Sequence, residues 1–398
     1  MTQTLKHTGA WAAALLGHAL MAGQCQAQSA VESYFRVNAT VPPVISSLDT
    51  NGVLRWSTES FGGSYLVERA TSVAPEAWTP WTSGPLTAND TAVKVLEFKP
   101  PTGMLFIPGG RFQMGDSQND ANVSSLATPV HTVEVSPFYM DQFEFTNERM
   151  REILQWALDN GEIVVETNVV RTKNAAPDIL VALGKFNSEV ILTNGKFTIR
   201  AGRDRFPAQY VSWFGSAALC NFYSTMQGLE RCYDLNTWAC DFTKRGFRLP
   251  TEAEWEFAAR GGYEGLRFPW SHTNVITHSL ANYRSDTNNW YDVSPTREYH
   301  PDYTNLRPRS SPVGTFAPNN YGLYDMAGNN WEWVWDWHAR FSAGLQINPT
   351  GPVSGSNRIF KGGSWFTKAE RLTCAMRYPA NPYTTFDDIG FRMILPAP

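Results

Sequence analysis

Gly322-Leu323-Tyr324-Asp325-Met326-Ala327-Gly328-Asn329-Asn330-Trp331-Glu332-Trp333-Val334-Trp335-Asp336-Trp337 carries two messages in one stretch. From Trp331 onward it alternates with period two, so as a β-strand it sets four indoles on one face and Glu332, Val334 and Asp336 on the other. The first reading is a core-filling strand, because indoles bury large areas; the alternative is an aromatic slab that stacks against sugar rings or a peptide. Just before the strand, Asp325, Asn330 and Glu332 bring hard oxygen side chains within eight residues around a Gly328 carbonyl that a tight turn exposes. Calcium asks for such a donor set. The competing account leaves Asp325 and Glu332 as surface acids of a hairpin.

Around this stretch the chain is rich in Gly, Trp and Asn, with short strands and three expected helices. The first starts near Asn147 and puts Met150, Ile153, Leu154, Ala157 and Leu158 on one face. The second starts near Ser212-Trp213 and carries Cys220. The third has Thr251 as N-cap with Glu254 three residues on, a capping box, and stops at Gly261-Gly262. So little helix in so long a segment predicts an α+β domain held by loops.

Upstream, Lys99-Pro100-Pro101-Thr102-Gly103 makes a stiff seam, since consecutive prolines cannot propagate a strand ladder. Before the seam, residues 31–99 show short strands at Gly52–Thr58, Ser64–Arg69 and Val93–Phe98, separated by Asn51-Gly52 and Gly62-Gly63. This spacing suggests a small N-terminal all-β sandwich that resembles a fibronectin type III-like module. The first 27 residues carry one charged side chain, Lys6, then an apolar run from Ala10, and end in Cys25-Gln26-Ala27. They read as a secretory signal cleaved after Ala27, since a spanning helix needs roughly 20 apolar residues. Gln24 breaks the pattern that would make Cys25 a lipid attachment site. The expectation is an exported protein, periplasmic, cell-surface or secreted, with no transmembrane segment.

Composition narrows the function further. A formal charge of −4 with 18% charged residues gives no basic footprint, so nucleic acid is not an expected partner, and 42% hydrophobic residues exclude disorder. Beyond the leader four cysteines remain, Cys220, Cys232, Cys240 and Cys374. In an oxidising compartment an even count reads first as two disulfides. Cys232 and Cys240 flank Tyr233–Ala239, a small hairpin across which a bridge is geometrically easy.

Recognisable motifs run in order through residues 104–398: Ile107–Gly115, Glu144-Phe145-Thr146-Asn147, Val211-Ser212-Trp213, Phe247–Glu256, Gly322–Asn329, Gly362-Gly363-Ser364-Trp365 and Gly390-Phe391-Arg392. Together they resemble the formylglycine-generating enzyme family, the sulfatase-modifying factors. The resemblance implies a variant of the C-type-lectin fold, stabilised by calcium. Enzymes of the family oxidise a sulfatase cysteine to formylglycine with copper and molecular oxygen. The family's second calcium site maps onto Asp325, Gly328, Asn330 and Glu332. The first maps onto Asn282 and the Tyr283 carbonyl, and its acidic partner falls near Thr304 or Asn305, where no carboxylate stands.

The copper ligands are where this chain departs. Copper(I) is soft and prefers thiolates, and the family's enzymes supply two, one three residues after Gly-Gly-Ser and the other five further on. Here Thr367 holds the first position and residues 368–373 contain no cysteine. Cys374 matches a structural cysteine of the family, and the resemblance pairs it with Cys220. The family's iron-dependent sulfoxide synthases offer no substitute, because His131, His272, His278, His300 and His338 show no paired ligand spacing. Ser364 lacks a base partner and reads as a turn residue.

The expectation is therefore an exported, calcium-stabilised member of the family that lacks the copper pair and serves as a non-oxidase binding or accessory protein. A pocket around Gly363, Ser364, Trp365, Thr367, Arg377 and Arg392 would take a peptide, a glycan or a small ligand. Copper is not expected as a cofactor. The alternatives are an active oxidase with an atypical ligand set and a purely structural cell-surface module.

Overall fold

The computed structural model describes residues 101–397 apart from 121–122, 124 and 174–177, and only the strand backbone in the first hundred residues. The chain divides into two units, Met1–Lys99 with Ala397–Pro398, and Pro100–Pro396. In the first unit, strands Thr79–Pro85, Ser64–Ala70, Ser33–Ala39, Gln24–Ser29 and Thr2–Lys6 form one sheet, and Pro43–Leu48, Val53–Thr58 and Asp90–Lys94 a second. The last of these strands begins earlier than the expected Val93–Phe98, and Val95–Phe98 lie outside the described residues. So do the apolar core of the expected leader, within residues 7–23, and the side chains that would pack one sheet on the other.

The second unit is α+β, with three α-helices and several small sheets. Helix α1, Asn147–Asp159, buries Met150, Ile153, Leu154 and Ala157, and Thr146 Oγ1 caps it by accepting from Arg149 N. Helix α2, Trp213–Met226, is buried on almost every side, as its apolar sequence dictates, and begins at Ser212, whose hydroxyl accepts from Gly215 N. Helix α3, Glu252–Arg260, closes the capping box between Thr251 and Glu254 and ends at Gly261 in the left-handed conformation.

The strand Trp331–Trp337 is central. It runs antiparallel to Arg358–Lys361 and parallel to Ile389–Phe391, with Tyr378–Ala380 completing four strands on the far side of Arg358–Lys361. Its alternation is as the sequence predicts, but both faces are covered. On the indole face Trp333 is fully buried, and Trp213 of α2 donates its Nε1–H to Val334 O while Trp333 donates to Val211 O. Arg358 fills the space between the rings of Trp213 and Trp337, 3.7 and 3.6 Å from their centroids. The indoles are thus mainly core, and Trp331 alone of the four also lines a cleft described below.

On the opposite face, Val334 joins a core shared by α3 and the strands Met104–Ile107, Gly110–Met114, His131–Val135 and Phe138–Asp141. Charges cross this core in pairs. Lys361 Nζ lies 3.1 Å from Glu256 Oε2, Arg260 Nη2 2.7 Å from Glu256 Oε1, and Arg377 Nη2 2.6 Å from Glu252 Oε2, all buried. Burial opposes ionisation of Glu256, but Lys361 and Arg260 outweigh it and hold the carboxyl down at about 2.

A depressed carboxylate pKa stabilises the fold above the unfolded value, and that contribution is lost as pH falls toward the folded one. Glu256→Gln should therefore cost about 3–5 kcal/mol at pH 7 by leaving buried Arg260 without its carboxylate and Lys361 with only Glu252, 4.0 Å away. The difference from wild type should shrink between about pH 4 and pH 2. Urea unfolding across that range checks it; a penalty independent of pH would contradict the assignment.

Candidate functional site

Two features meet at the start of the central strand, a buried cluster of oxygens and an open cleft. The cluster is built on the turn before Trp331, where Asp325, Gly328 and Asn329 all adopt positive φ. A Cβ on Gly328 would meet Asn282 O at 2.4 Å, so glycine is required there. Glu144 reaches in from the segment before α1. Its carboxylate accepts from Asn330 N at 2.8 Å and Asn329 Nδ2 at 2.6 Å. Glu332 accepts from Arg392 Nη2 and Nε at 2.6 and 2.7 Å and from Trp255 Nε1 at 2.7 Å.

Three carboxyl groups therefore surround one arginine in a dry site. Burial pushes the Glu144 carboxyl well above its ordinary range, with Asp325 and Glu332 adding repulsion, and burial raises Asp325 to about 6. Asp325 Oδ2 accepts from Gly314 N at 2.7 Å, whereas Asp325 Oδ1 and Asn330 Oδ1 are buried without a hydrogen-bond partner. Orphaned buried acceptors beside surplus carboxylate suit a hard cation, which would satisfy both at once. Among the described residues no three His, Cys, Asp or Glu side chains converge as metal ligands, so a cation here would need amide and main-chain oxygens as well. Asn282 and Tyr283, expected at the weaker site, are engaged within the protein. Asn282 O accepts from Asn329 N at 2.8 Å, and the Tyr283 carbonyl faces His278 Nε2 at 3.1 Å.

The structure does not join the cysteines as expected. Cys220, Cys232, Cys240 and Cys374 are not bridged in it. Cys220 of α2 lies among Cys232, Asp141, Arg149 and Cys240, whereas Cys374 packs in the core beside α3, near Arg260, Glu256 and Lys361. The expected Cys220–Cys374 bridge is absent because the two thiols occupy different neighbourhoods. The expected Cys232–Cys240 bridge is absent because the register sets Tyr233 opposite Cys240, which leaves Cys232 on the alternate face. Burial pushes the Cys232 and Cys374 thiols up to about 11.

The cleft, of about 790 Å³, opens over one face of the central sheet, with Trp331, Phe360 and Ile389 in its lining. Trp365 and Thr367 line it as expected. Thr367 Oγ1 accepts from Ser364 N at 2.9 Å and lies 3.1 Å from Ser364 O, so the hydroxyl closes its own turn. Ser364 is buried behind that turn and donates to Asp388 Oδ2 at 2.7 Å. Arg377 and Arg392 are not cleft residues. Arg377 is held by Glu252 beside a separate cavity, and Arg392 is wholly buried against Glu332, each drawn inward by a carboxylate that sequence did not locate.

In their place the structure brings Arg307, Arg309, Arg371, Tyr378, Phe386, Asp387 and Asp388 to the cleft. Sequence reasoning missed them because they lie in loops, one short helical turn and a three-residue strand, none long enough to show a period, although Phe386-Asp387-Asp388 stands one residue before the recognised Gly390-Phe391-Arg392. Burial raises the Asp388 carboxyl to about 6 against the hydrogen bond from Ser364.

A loop-rich α+β domain with a buried oxygen cluster and an open cleft over its central sheet defines a class of mixed helix and sheet fold shared with C-type-lectin-like proteins. Residues 90–397 match the sulfatase-modifying factor enzyme 1-like domain, and the chain belongs to the formylglycine-generating enzyme family. It is similar to the formylglycine-generating enzyme of Thermomonospora curvata, 33% identical over 313 residues, covering 73% of this chain and 92% of that protein. It is also 29% identical over 307 residues to the inactive C-alpha-formylglycine-generating enzyme 2 of Bos taurus, covering 73% of this chain and 86% of that one. Among solved structures, Treponema denticola variable protein 1 aligns with a TM-score of 0.50 at 25% identity, covering 74% of this chain and 94% of that one.

The raised Asp388 carboxyl makes a pH prediction. Its folded pKa lies above the unfolded value of about 3.9, so its contribution to stability is complete below that value and is lost as pH rises toward 6. Asp325 shifts in the same direction, so the test is a difference. Asp388→Asn should gain on wild type between pH 4 and pH 6, read by urea unfolding in chelator; parallel curves would contradict it.

Proposed function

We propose that this chain is a non-oxidase member of its family, an exported and calcium-stabilised protein that binds a ligand in the cleft over the central sheet. The observation that carries the reading is Thr367. Where copper(I) wants a thiolate, a neutral hydroxyl closes a turn on Ser364. None of the cleft-lining residues is a cysteine, and the buried thiols of Cys220 and Cys374 are held protonated by their surroundings. The likeness to a relative whose name describes it as inactive is consistent with a family fold used without oxidase chemistry.

Export rests on the leader-like residues 1–27, and no helix among the described residues is long and apolar enough to cross a membrane. The fibronectin type III-like reading of residues 31–99 stands beside it as a module for display or attachment. Calcium would be held by Asp325 and Asn330, whose free oxygens are its strongest support, with the Gly328 carbonyl and Glu332 completing the set. Bound there, the ion would neutralise the excess of carboxylate around Arg392.

Aerobic incubation of the purified protein with copper and a sulfatase-motif peptide should leave the peptide cysteine unchanged by mass spectrometry; conversion to formylglycine at a catalytic rate would establish the oxidase reading instead. Calcium should raise the thermal midpoint relative to chelator by linkage, roughly 2.7 kcal/mol at a hundredfold excess over Kd. Asp325→Asn should remove most of that gain. An equal midpoint for wild type with and without calcium would refute the calcium assignment.

A further inference from the structure

The charge on the cleft wall identifies a ligand class. Arg307, Arg309 and Arg371 line the cleft, and among the described residues none of the three has a carboxylate within ion-pair distance. Arg307 donates to the carbonyls of Thr304 and Leu306, and Arg309 Nε to Thr304 O. Arg309 lies over Tyr299, 3.9 Å from its centroid, and Arg371 over Tyr378 at 5.0 Å. Elsewhere in this unit Arg377, Arg392, Arg260 and Arg248 are each paired with an acid, while Arg358 is held between indole rings. Guanidinium groups placed over aromatic rings, with no carboxylate in ion-pair contact, form a receptor for anionic groups.

The floor is of a different character. Trp331, Phe360 and Ile389 are apolar, and Phe386 and Tyr378 at the rim are 60% and 41% exposed. An apolar floor rewards a buried apolar or aromatic side chain, and a peptide supplies one together with charged flanks. Asp387 and Asp388 also line the cleft, accepting from Asn187 Nδ2 and Ser364 Oγ respectively, and Asp387 attracts Arg309 through space, so the lining sets three guanidinium groups against two carboxylates and keeps a positive balance. Resting on the ligand-binding reading above, the geometry points to an acidic peptide segment with an apolar or aromatic anchor as the occupant of this cleft: the anchor enters over Phe360 and Trp331, and flanking Asp or Glu side chains meet Arg309 and Arg371.

Three fluorescein-labelled heptapeptides with a central Phe test this, one flanked by Asp and Glu, one by Asn and Gln, one by Lys and Arg, with a uronic-acid oligosaccharide as a fourth probe. Fluorescence anisotropy on the full chain should rank the acidic peptide about tenfold tighter than the neutral one, and the basic peptide weakest. Added salt should erase the preference. Arg371→Gln, and separately Arg309→Gln, should each reduce acidic-peptide affinity several-fold and leave the neutral peptide unchanged, with thermal midpoints confirming folding. Phe386→Ala should weaken all three peptides alike. Equal affinity for the three charges, with Phe386→Ala still weakening them, would overturn the anionic assignment and keep the cleft as a binding site. Tighter, Arg371-dependent binding of the oligosaccharide would replace the peptide with a glycan. No binding of any probe that depends on Phe386 or Arg371 would overturn both this inference and the reading it rests on.

Discussion

The rest of the domain depends on Arg392. It is fully buried, forks onto Glu332, and donates two further hydrogens to the carbonyls of Asp141 and Tyr324. One side chain thus joins two neighbouring strands of the central sheet, an outer strand and the turn that builds the oxygen cluster. Taking a guanidinium and a carboxylate out of water is expensive, and the pair is tolerable because each of the three guanidinium nitrogens donates to an acceptor. That requirement fixes the register of Trp331–Trp337 against Ile389–Phe391, since Glu332 must face inward beside Gly390. Once it does, the indoles must take the other face, and α2 packs onto them.

The same constraint explains which parts of the fold were legible in sequence. Period two in Trp331–Trp337 and the capping box of α3 are local signals, and both are present in the structure. The oxygen side chains of the turn were legible because three of them fall within one short segment. Glu144 was recognisable only as part of a motif; its place against Asn329 and Asn330 comes from a contact nearly two hundred residues away in sequence. Arg377 and Arg392 were read as pocket residues because a sequence shows a charge and not the carboxylate that buries it. The cysteines failed for a related reason. Even counts and short spacings say that bridges are feasible, while a one-residue register decides whether Cys232 or Tyr233 faces Cys240.

On the reading proposed above, the cleft would be a family scaffold put to another use. Its floor is made of core strands that the fold cannot vary without losing the sheet, whereas most of its rim comes from irregular segments free to change. At the rim this chain carries Thr367 in a self-closed turn and arginines matched to aromatic rings and carbonyls. The oxygen cluster and the cleft both adjoin the start of the central strand, at Glu332 and at Trp331, so a structural ion and a bound ligand would act on the same end of one strand. Loss of copper chemistry would then leave the supporting architecture intact.

The central claim is that a hydroxyl has replaced the soft ligand this scaffold would use for copper. Competition for copper(I) between the reduced, purified protein and a chromophoric chelator addresses it most directly, because it reads the metal site without requiring a substrate. The account predicts that the protein withdraws no stoichiometric copper(I) from the chelator, since Thr367 supplies no thiolate and no cysteine lines the cleft. Tight one-to-one binding would contradict it and return the oxidase reading to first place.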